Sequence, residues 1–402
     1  MKISNSFLSK NISLLSFGFL FSLFSSFGQT FFVSLFVPFL QKDFNLSDSL
    51  FSSIYGVATI ASAFTIVWLG RYIDKLRLTK FSVRILIMFS LSLLLFSQAY
   101  HAIMLFLAIY GIRLFGQGLM THTSITSMAR FFTANRGKAI SIASLGHPVG
   151  EAVLPIIIVS SIAFIGWRTT FLLCAAVLLL LIPLSLFLLK SNKSYSKLRL
   201  FIPAKITTEE KQNAKSYNLI KNKFFWILAP SGIASGAIGT GFLFFQLNLG
   251  QVKNWSAEFV ALAFSAYAIG SAVFTLIGGY LTDRWSAKKL FPFTLLPFFI
   301  GVLTLLLFNG KWVYVVFISG IGITNGFTNP IKNTAMAELF GTKLLGSVRS
   351  LFTTVGVFAT ALGPLIFGVF FDLGFNFNDI ALFSLFIFVL AALNSLRILK
   401  YA

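Results

Sequence analysis

Charge is scarce in this chain of 402 residues, and negative charge scarcest of all. Eleven Asp and Glu stand against thirty-two Lys and Arg, and charged residues make up 11% of the total. Soluble domains carry about 25% charged residues, so a water-soluble globule is excluded. Cysteine is almost absent: Cys174 is the only one and lies inside an apolar run. No disulfide can form within the chain, and no thiolate metal site can be built. The three histidines form no cluster with Asp or Glu at metal-ligand spacing. Ser–His–Asp and phosphate-loop patterns are missing as well. No metal, no cofactor, no ATP hydrolysis and no enzymatic activity are therefore expected. Membrane-embedded lipid chemistry would need paired carboxylates near one interface, and the few acids are not placed for it.

Apolar residues make up 57% of the chain, fifty of them Phe. Runs of eighteen or more apolar residues recur, each long enough to cross a bilayer as a helix. A backbone in lipid must satisfy its own hydrogen bonds, and period-2 patterning is too weak for a barrel. The expected fold class is an all-α membrane protein. Hydropathy gives twelve spans, at about 14–40, 50–69, 82–99, 103–127, 139–163, 169–190, 224–248, 258–281, 290–308, 312–334, 346–371 and 379–399. The first run is much longer than the 7–15 residues of a signal-peptide core, so it reads as a retained span.

The charges test this count. If the N-terminus is cytoplasmic, the segments on the outer side hold only Lys42, Arg168, Lys253 and Lys311 among the bases. Apart from Arg113, every other Lys and Arg falls on the inner side, as the positive-inside rule requires. Both termini are thus expected in the cytoplasm, and the chain is expected as a multi-pass protein of the cytoplasmic (inner) membrane. The net charge of +21 then reads as topogenic charge facing anionic membrane lipids, and no nucleic acid is expected as a partner.

A short polar turn, Gly70-Arg71-Tyr72-Ile73-Asp74-Lys75, recurs as Gly279-Tyr280-Leu281-Thr282-Asp283-Arg284, 209 positions later. At the same offset Gly111 meets Gly320, Gly137 meets Gly346, Ser141 meets Ser350 and Pro155 meets Pro364. The chain reads as two duplicated six-helix bundles, 1–190 and 224–402, joined by a cytoplasmic linker loop, 191–223. Internal repeats of this kind build many secondary transporters.

The paired Gly-x-x-x-Asp-Arg/Lys turns after spans two and eight, the twelve spans and the central loop resemble the major facilitator superfamily over essentially the whole chain. Within it, residues 113–132 and 136–155 are similar to bacterial monocarboxylate and oxalate/formate porter relatives. Two departures matter. The drug-antiporter signature of span five is replaced by Gly146-His147-Pro148-Val149-Gly150-Glu151, and span eight carries no charge where some of those relatives place an Arg. The second argues against a dicarboxylate. The resemblance implies alternating access, with a pocket drawn from spans one, four, seven and ten. It also implies a cytoplasmic gate. Gly70, Asp74 and Lys75 would meet the start of span eleven, with Glu338 and Arg136 in the neighbouring loops. Gly279, Asp283 and Arg284 would meet the start of span five near Gly137.

The acids sort by depth. Asp43, Asp48, Glu258, Asp372 and Asp379 fall outside, and Asp74, Glu209, Glu210, Asp283 and Glu338 inside, leaving Glu151 alone in mid-span. Arg113 is the only base near the centre of a span. A lone charge at the bilayer centre costs about 3 kcal/mol on insertion scales, so both should face the bundle interior. Gln117 lies four residues after Arg113, and His147 four before Glu151, each pair on one helical face. Two readings stand. Arg113 could bind the carboxylate of a small organic anion, with Glu151 and His147 carrying a coupling proton. Alternatively, Arg113 and Glu151 could be a permanent ion pair holding spans four and five. Gln29 and Thr30, Tyr55, Gln246, Tyr267, Asn325 and Asn329 are the other mid-span polar candidates. The functional expectation is a monomeric secondary transporter of a small solute, an organic anion such as a monocarboxylate, coupled to protons or exchanged for a counter-anion. Efflux of drugs or amphiphilic compounds is the alternative, and a transporter-like membrane sensor is the alternative of another class.

Overall fold

A computed structural model describes residues 5–70, 72–132, 135–191, 219–341 and 345–401; the side chains of residues 5–9, 74, 75, 345–347 and 350 lie outside that description. The described chain is almost entirely helical, with no strand among the described residues. Among the described residues, ten helices are long and apolar enough to cross a membrane. One of these stretches, Arg136–Ser191, contains Gly166 at φ 76°, ψ 162°. That backbone is outside the helical region and open to glycine, and it separates the expected fifth and sixth spans. The 30-residue helix Lys311–Phe340, the expected tenth span, is not among the ten.

In chain order the helices that matter below are α1 (Asn5–Phe24), α2 (Thr30–Val33), α3 (Val37–Phe44), α4 (Asp48–Leu69), α5 (Tyr72–Lys75), α6 (Leu78–Ser97), α7 (Ala102–Gly111), α8 (Thr121–Phe131), α9 (Arg136–Ser144) and α10 (Gly146–Ser191). Beyond the linker come α11 (Lys223–Phe244), α12 (Gln246–Val252), α13 (Ala257–Trp285), α14 (Ala287–Leu290), α15 (Leu296–Leu307), α16 (Lys311–Phe340), α17 (Leu345–Asp372) and α18 (Phe377–Ser395). The chain divides into two compact units. The first comprises Met1–Asn45 and Val57–Ala204, the second Leu46–Gly56 and Lys205–Ala402. The heart of the expected linker, 192–218, falls outside the described residues.

Six expected spans are not continuous α-helices. Span five is interrupted at Leu145, span nine opens with a 3-10 turn over Phe291–Phe293, and span twelve ends in one over Leu396–Tyr401. The other three bear on the sites below. Span one is α1, a 3-10 turn over Ser25–Gly28, an extended Gln29 at φ −83°, ψ 158°, then α2 and α3. Span four runs from α7 through a π-helical stretch, Ile112–Met120, into α8. Span seven breaks at Phe245, between α11 and α12. Hydropathy sees none of these, because Ser, Gly and Phe all pass as apolar-run residues while only the backbone changes course.

Packing within each unit follows from small residues and aromatics. In the first unit α10 packs on α6 and α1. Phe171 of α10 stacks on Phe36 at 4.1 Å and on Phe96 at 4.2 Å, joining three elements through one ring. In the second unit α13 and α16 run together, and a Cβ at Gly322 or Gly326 would collide with the carbonyls of Tyr267 or Ser271. Small residues permit such backbone approach, where dispersion rather than water drives association. Pro230 cannot donate to Trp226 O in α11. Asn394 Nδ2 of α18 supplies the missing donor, at 2.9 Å from Trp226 O and 3.2 Å from Ile227 O.

Candidate functional site

The first unit builds its polar centre around the break in span one. In a continuous helix Phe32 N–H would bond to Gly28 O; here it turns to Gln29 O, at 3.2 Å. Arg113 takes its place. The guanidinium Nη1 donates to Gly28 O at 3.0 Å and reaches Thr30 Oγ1 at 3.4 Å. Arg113 is only 2% exposed, and a buried cation held by a free carbonyl is far less costly than one left in hydrocarbon. The close approach depends on two glycines. A Cβ at Gly28 would overlap Ile112 O, and its α-carbon sits 2.9 Å from where a Cβ on Gly116 would stand. So a broken stretch of span one lies backbone to backbone on the π-helical stretch of span four. π-helical turns carry one residue more per turn and are frequent at functional sites.

The other flank of the same stretch meets α10. A Cβ at Gly150 would overlap Ser26 Oγ, and the Phe31 ring lies edge-on to His147, centroids 6.3 Å apart. His147 Nδ1 and Glu151 Oε1 are 3.4 Å apart, with Glu151 6% exposed and the histidine partly open. Arg113 and the His147–Glu151 pair thus address one segment, Ser26–Phe31, from two sides. Gln29 and Gln117 are half-buried, Gln29 at the break and Gln117 within the π-helical stretch.

In the second unit Gln246 is buried at the start of α12, where its Oε1 accepts from the Tyr314 hydroxyl at 3.2 Å. Asn325 Nδ2 donates to the Tyr267 hydroxyl at 3.0 Å, joining α13 to α16. Asn329, one turn further on, is exposed. Tyr314 was missed by sequence reasoning. A lone tyrosine in an apolar run was the signal, but its partner lies 68 positions away. Tyr55 is fully buried against Phe244, with centroids 4.7 Å apart.

The paired turns differ. Asp74 and Lys75 fall on α5, and their side chains lie outside the described residues. A Cβ at Gly70 would lie 2.8 Å from Ile66 O and 3.6 Å from His122 Nε2. At Gly279 a Cβ would meet nothing within 4 Å among the described residues. Asp283 and Arg284 are exposed. Glu338 accepts from Ser286 Oγ at 3.1 Å and from Ala287 N at 3.3 Å, tying the end of α16 to the second turn. Arg136 Nε donates to Ala129 O at 3.0 Å, closing the loop between α8 and α9.

A family model described as Major Facilitator Superfamily matches residues 18–364 and 231–400. No curated protein matches the sequence. Among solved structures, the nucleoside transporter NupG is similar with a TM-score of 0.76 and 16% identity, over 98% of this chain and 99% of that one. A bacterial homologue of the human lysosomal transporter Spinster, in an inward-facing and occupied conformation, is similar with a TM-score of 0.72 and 17% identity, over 97% of each chain. At such identities the likeness shows the fold. Two helical units of this kind, under a family model that runs over nearly all of both, make the chain a member of the Major Facilitator Superfamily, a membrane transporter and not an enzyme.

Proposed function

We propose that the protein carries a small organic anion, such as a monocarboxylate, across the cytoplasmic membrane by alternating access, with Arg113 as the anion ligand and Glu151 with His147 as the proton carrier. One observation supports this above the rest: Arg113 and the His147–Glu151 pair flank the same broken stretch, Ser26–Phe31, of span one. An arriving carboxylate would compete with Gly28 O for the guanidinium, since charge-assisted, bidentate pairing is the stronger bond. Releasing that carbonyl would let the break in span one move, and the same stretch rests on the helix that bears Glu151. Proton and solute would then be coupled through one flexible segment. Gln29, Gln117, Gln246, Tyr267, Asn325 and Asn329 are the candidates for shaping the rest of the pocket. The paired turns with Asp74 and Asp283 would gate its cytoplasmic mouth, so Asp74→Asn should shift cysteine accessibility towards an inward-open state.

The test is uptake of labelled monocarboxylates into proteoliposomes under an imposed pH gradient. Arg113→Lys should raise the half-saturating solute concentration about tenfold or more, a loss of at least about 1.4 kcal/mol. Glu151→Gln should remove the pH dependence while exchange of solute for solute persists. Unchanged affinity and unchanged pH dependence would refute the assignment. A second reading, a polar uncharged solute, is favoured by the Gln246–Tyr314 and Tyr267–Asn325 pairs. Nucleosides, the solute named for the NupG neighbour, belong in the same uptake panel. Dye efflux in the same vesicles tests the amphiphile alternative.

A further inference from the structure

The second unit has a cavity of about 380 Å³ between α11, α17 and α18, far in character from the polar pairs above. Ala234 and Phe367 form its floor, and Ile233, Ile366 and Leu390 stand exposed at its mouth. Among the described residues no charged one lines it. The three helices belong to spans of the membrane protein, so this mouth opens among lipid chains. A polar solute has no partner in it, and left empty it would forfeit dispersion contacts on every wall.

The surface next to the groove says which lipid. On α18, Phe383, Ile387, Leu390 and Asn394 recur at helical spacing on one face, the first three lining the groove, and Arg397 follows in the 3-10 turn Leu396–Tyr401 that continues the helix. On α11, Ala237, Ile233, Pro230, Trp226 and Lys223 recur likewise, and here too the first three line it. The groove side of α11 therefore ends on one base, Lys223, and the turn that continues α18 supplies a second, Arg397. Both bases lie seven residues beyond the last lining position of the face, about 10 Å at helical rise. Arg397 and Lys223 are exposed, with Lys221 and Lys400 exposed beside them. The Lys223 ammonium is held 4.7 Å over the Tyr401 ring and 5.3 Å over Phe224, which fixes it at this end. Between groove and bases stands Trp226, exposed, with its indole N–H on Ile220 O. Trp at that position marks the depth of a membrane interface.

We propose that this groove binds an anionic phospholipid, one acyl chain lying in the cavity and the headgroup phosphate on Lys223 and Arg397. The bases supply charge complementarity at interface depth, and the groove beside them supplies an apolar slot of about 380 Å³. Basic pockets at helix ends select anionic headgroups in this way.

Native mass spectrometry of the purified protein tests it, with dioleoyl phosphatidylglycerol and dioleoyl phosphatidylcholine added in equal amounts. The wild type should retain the anionic lipid about tenfold better, the order expected for two bases near one headgroup. Lys223→Gln with Arg397→Gln should bring retention down to that of the neutral lipid, and Lys223→Arg with Arg397→Lys should keep the preference. Leu390→Trp, at the exposed mouth where folding tolerates bulk, should weaken retention of both lipids; Ile387→Trp, deeper in, provides a second blocking variant. Equal retention of the two lipids by the wild type would overturn the proposal, as the sign of an ordinary apolar furrow. Undiminished retention in the charge-neutralised protein, or in both groove-blocked variants with unchanged melting temperature, would overturn it equally.

Discussion

At the scale of single residues, Arg113 shows how a charge is housed in a span. It replaces the helical donor that Gly28 O loses at the break, so the residue is a structural cap as well as a candidate ligand. Arg113→Ala should therefore destabilise the protein by about 1–3 kcal/mol through an orphaned carbonyl, measured as a lower melting temperature in detergent. Gly28→Ala puts a methyl group against Ile112 O, and overpacking of that kind costs about 1–3 kcal/mol. Gly279→Ala and Gly137→Ala meet nothing within 4 Å among the described residues and should leave stability unchanged or raise it by up to about 1 kcal/mol, the helix-propensity gain. The isolation of Arg113 and Glu151 in their spans was legible in the sequence, because charge in an apolar run stands out. Their meeting on Ser26–Phe31 was not, since it depends on a break that no single residue announces. Tyr314 was illegible for the same reason: its role is set by Gln246, a neighbour in space only.

Elements in this protein are held at their irregular points by side chains from elsewhere. Asn394 satisfies the carbonyl that Pro230 orphans, and the two should be coupled. Asn394→Ala should cost about 1–2 kcal/mol. In a Pro230→Ala background, where the restored backbone N–H would serve Trp226 O itself, the cost should shrink by at least half; full additivity in that cycle would contradict the pairing. Asp372 does similar work at the start of α4, accepting from Asp48 N at 3.2 Å and Ser49 N at 3.1 Å. Asp372→Ala should cost about 0.5–2 kcal/mol, as loss of a helix cap does, read from the melting temperature. Helix positions were legible because a span needs about twenty apolar residues and little else. Breaks, π-helical turns and caps were not. They conserve hydropathy and are decided by which carbonyl finds which donor. Gly166 is the exception, since it falls in the gap between the expected spans 139–163 and 169–190.

For the whole molecule, the duplicated turns, the recurrent apolar runs and the central polar loop carried the family identity, because all are properties of linear order. The placing of the bases in alternate loops predicts topology. Cys174 is buried and the only thiol, so introduced cysteines report alone. Asn309→Cys should react with a membrane-impermeant reagent on intact cells, and Lys400→Cys only after the cells are opened; the reverse pattern would invert the topology. The solute was the least legible feature, because one Arg and a few amides suit several chemistries and selectivity depends on shape. The measurement that bears most directly on it is a thermal-shift screen of the purified protein against small carboxylates across pH. The account predicts a carboxylate that raises the melting temperature in the wild type, with a pH dependence that Glu151→Gln removes and with a clearly smaller shift at the same concentration in Arg113→Lys. A flat response to every carboxylate, or stabilisation undiminished in Arg113→Lys, would contradict it.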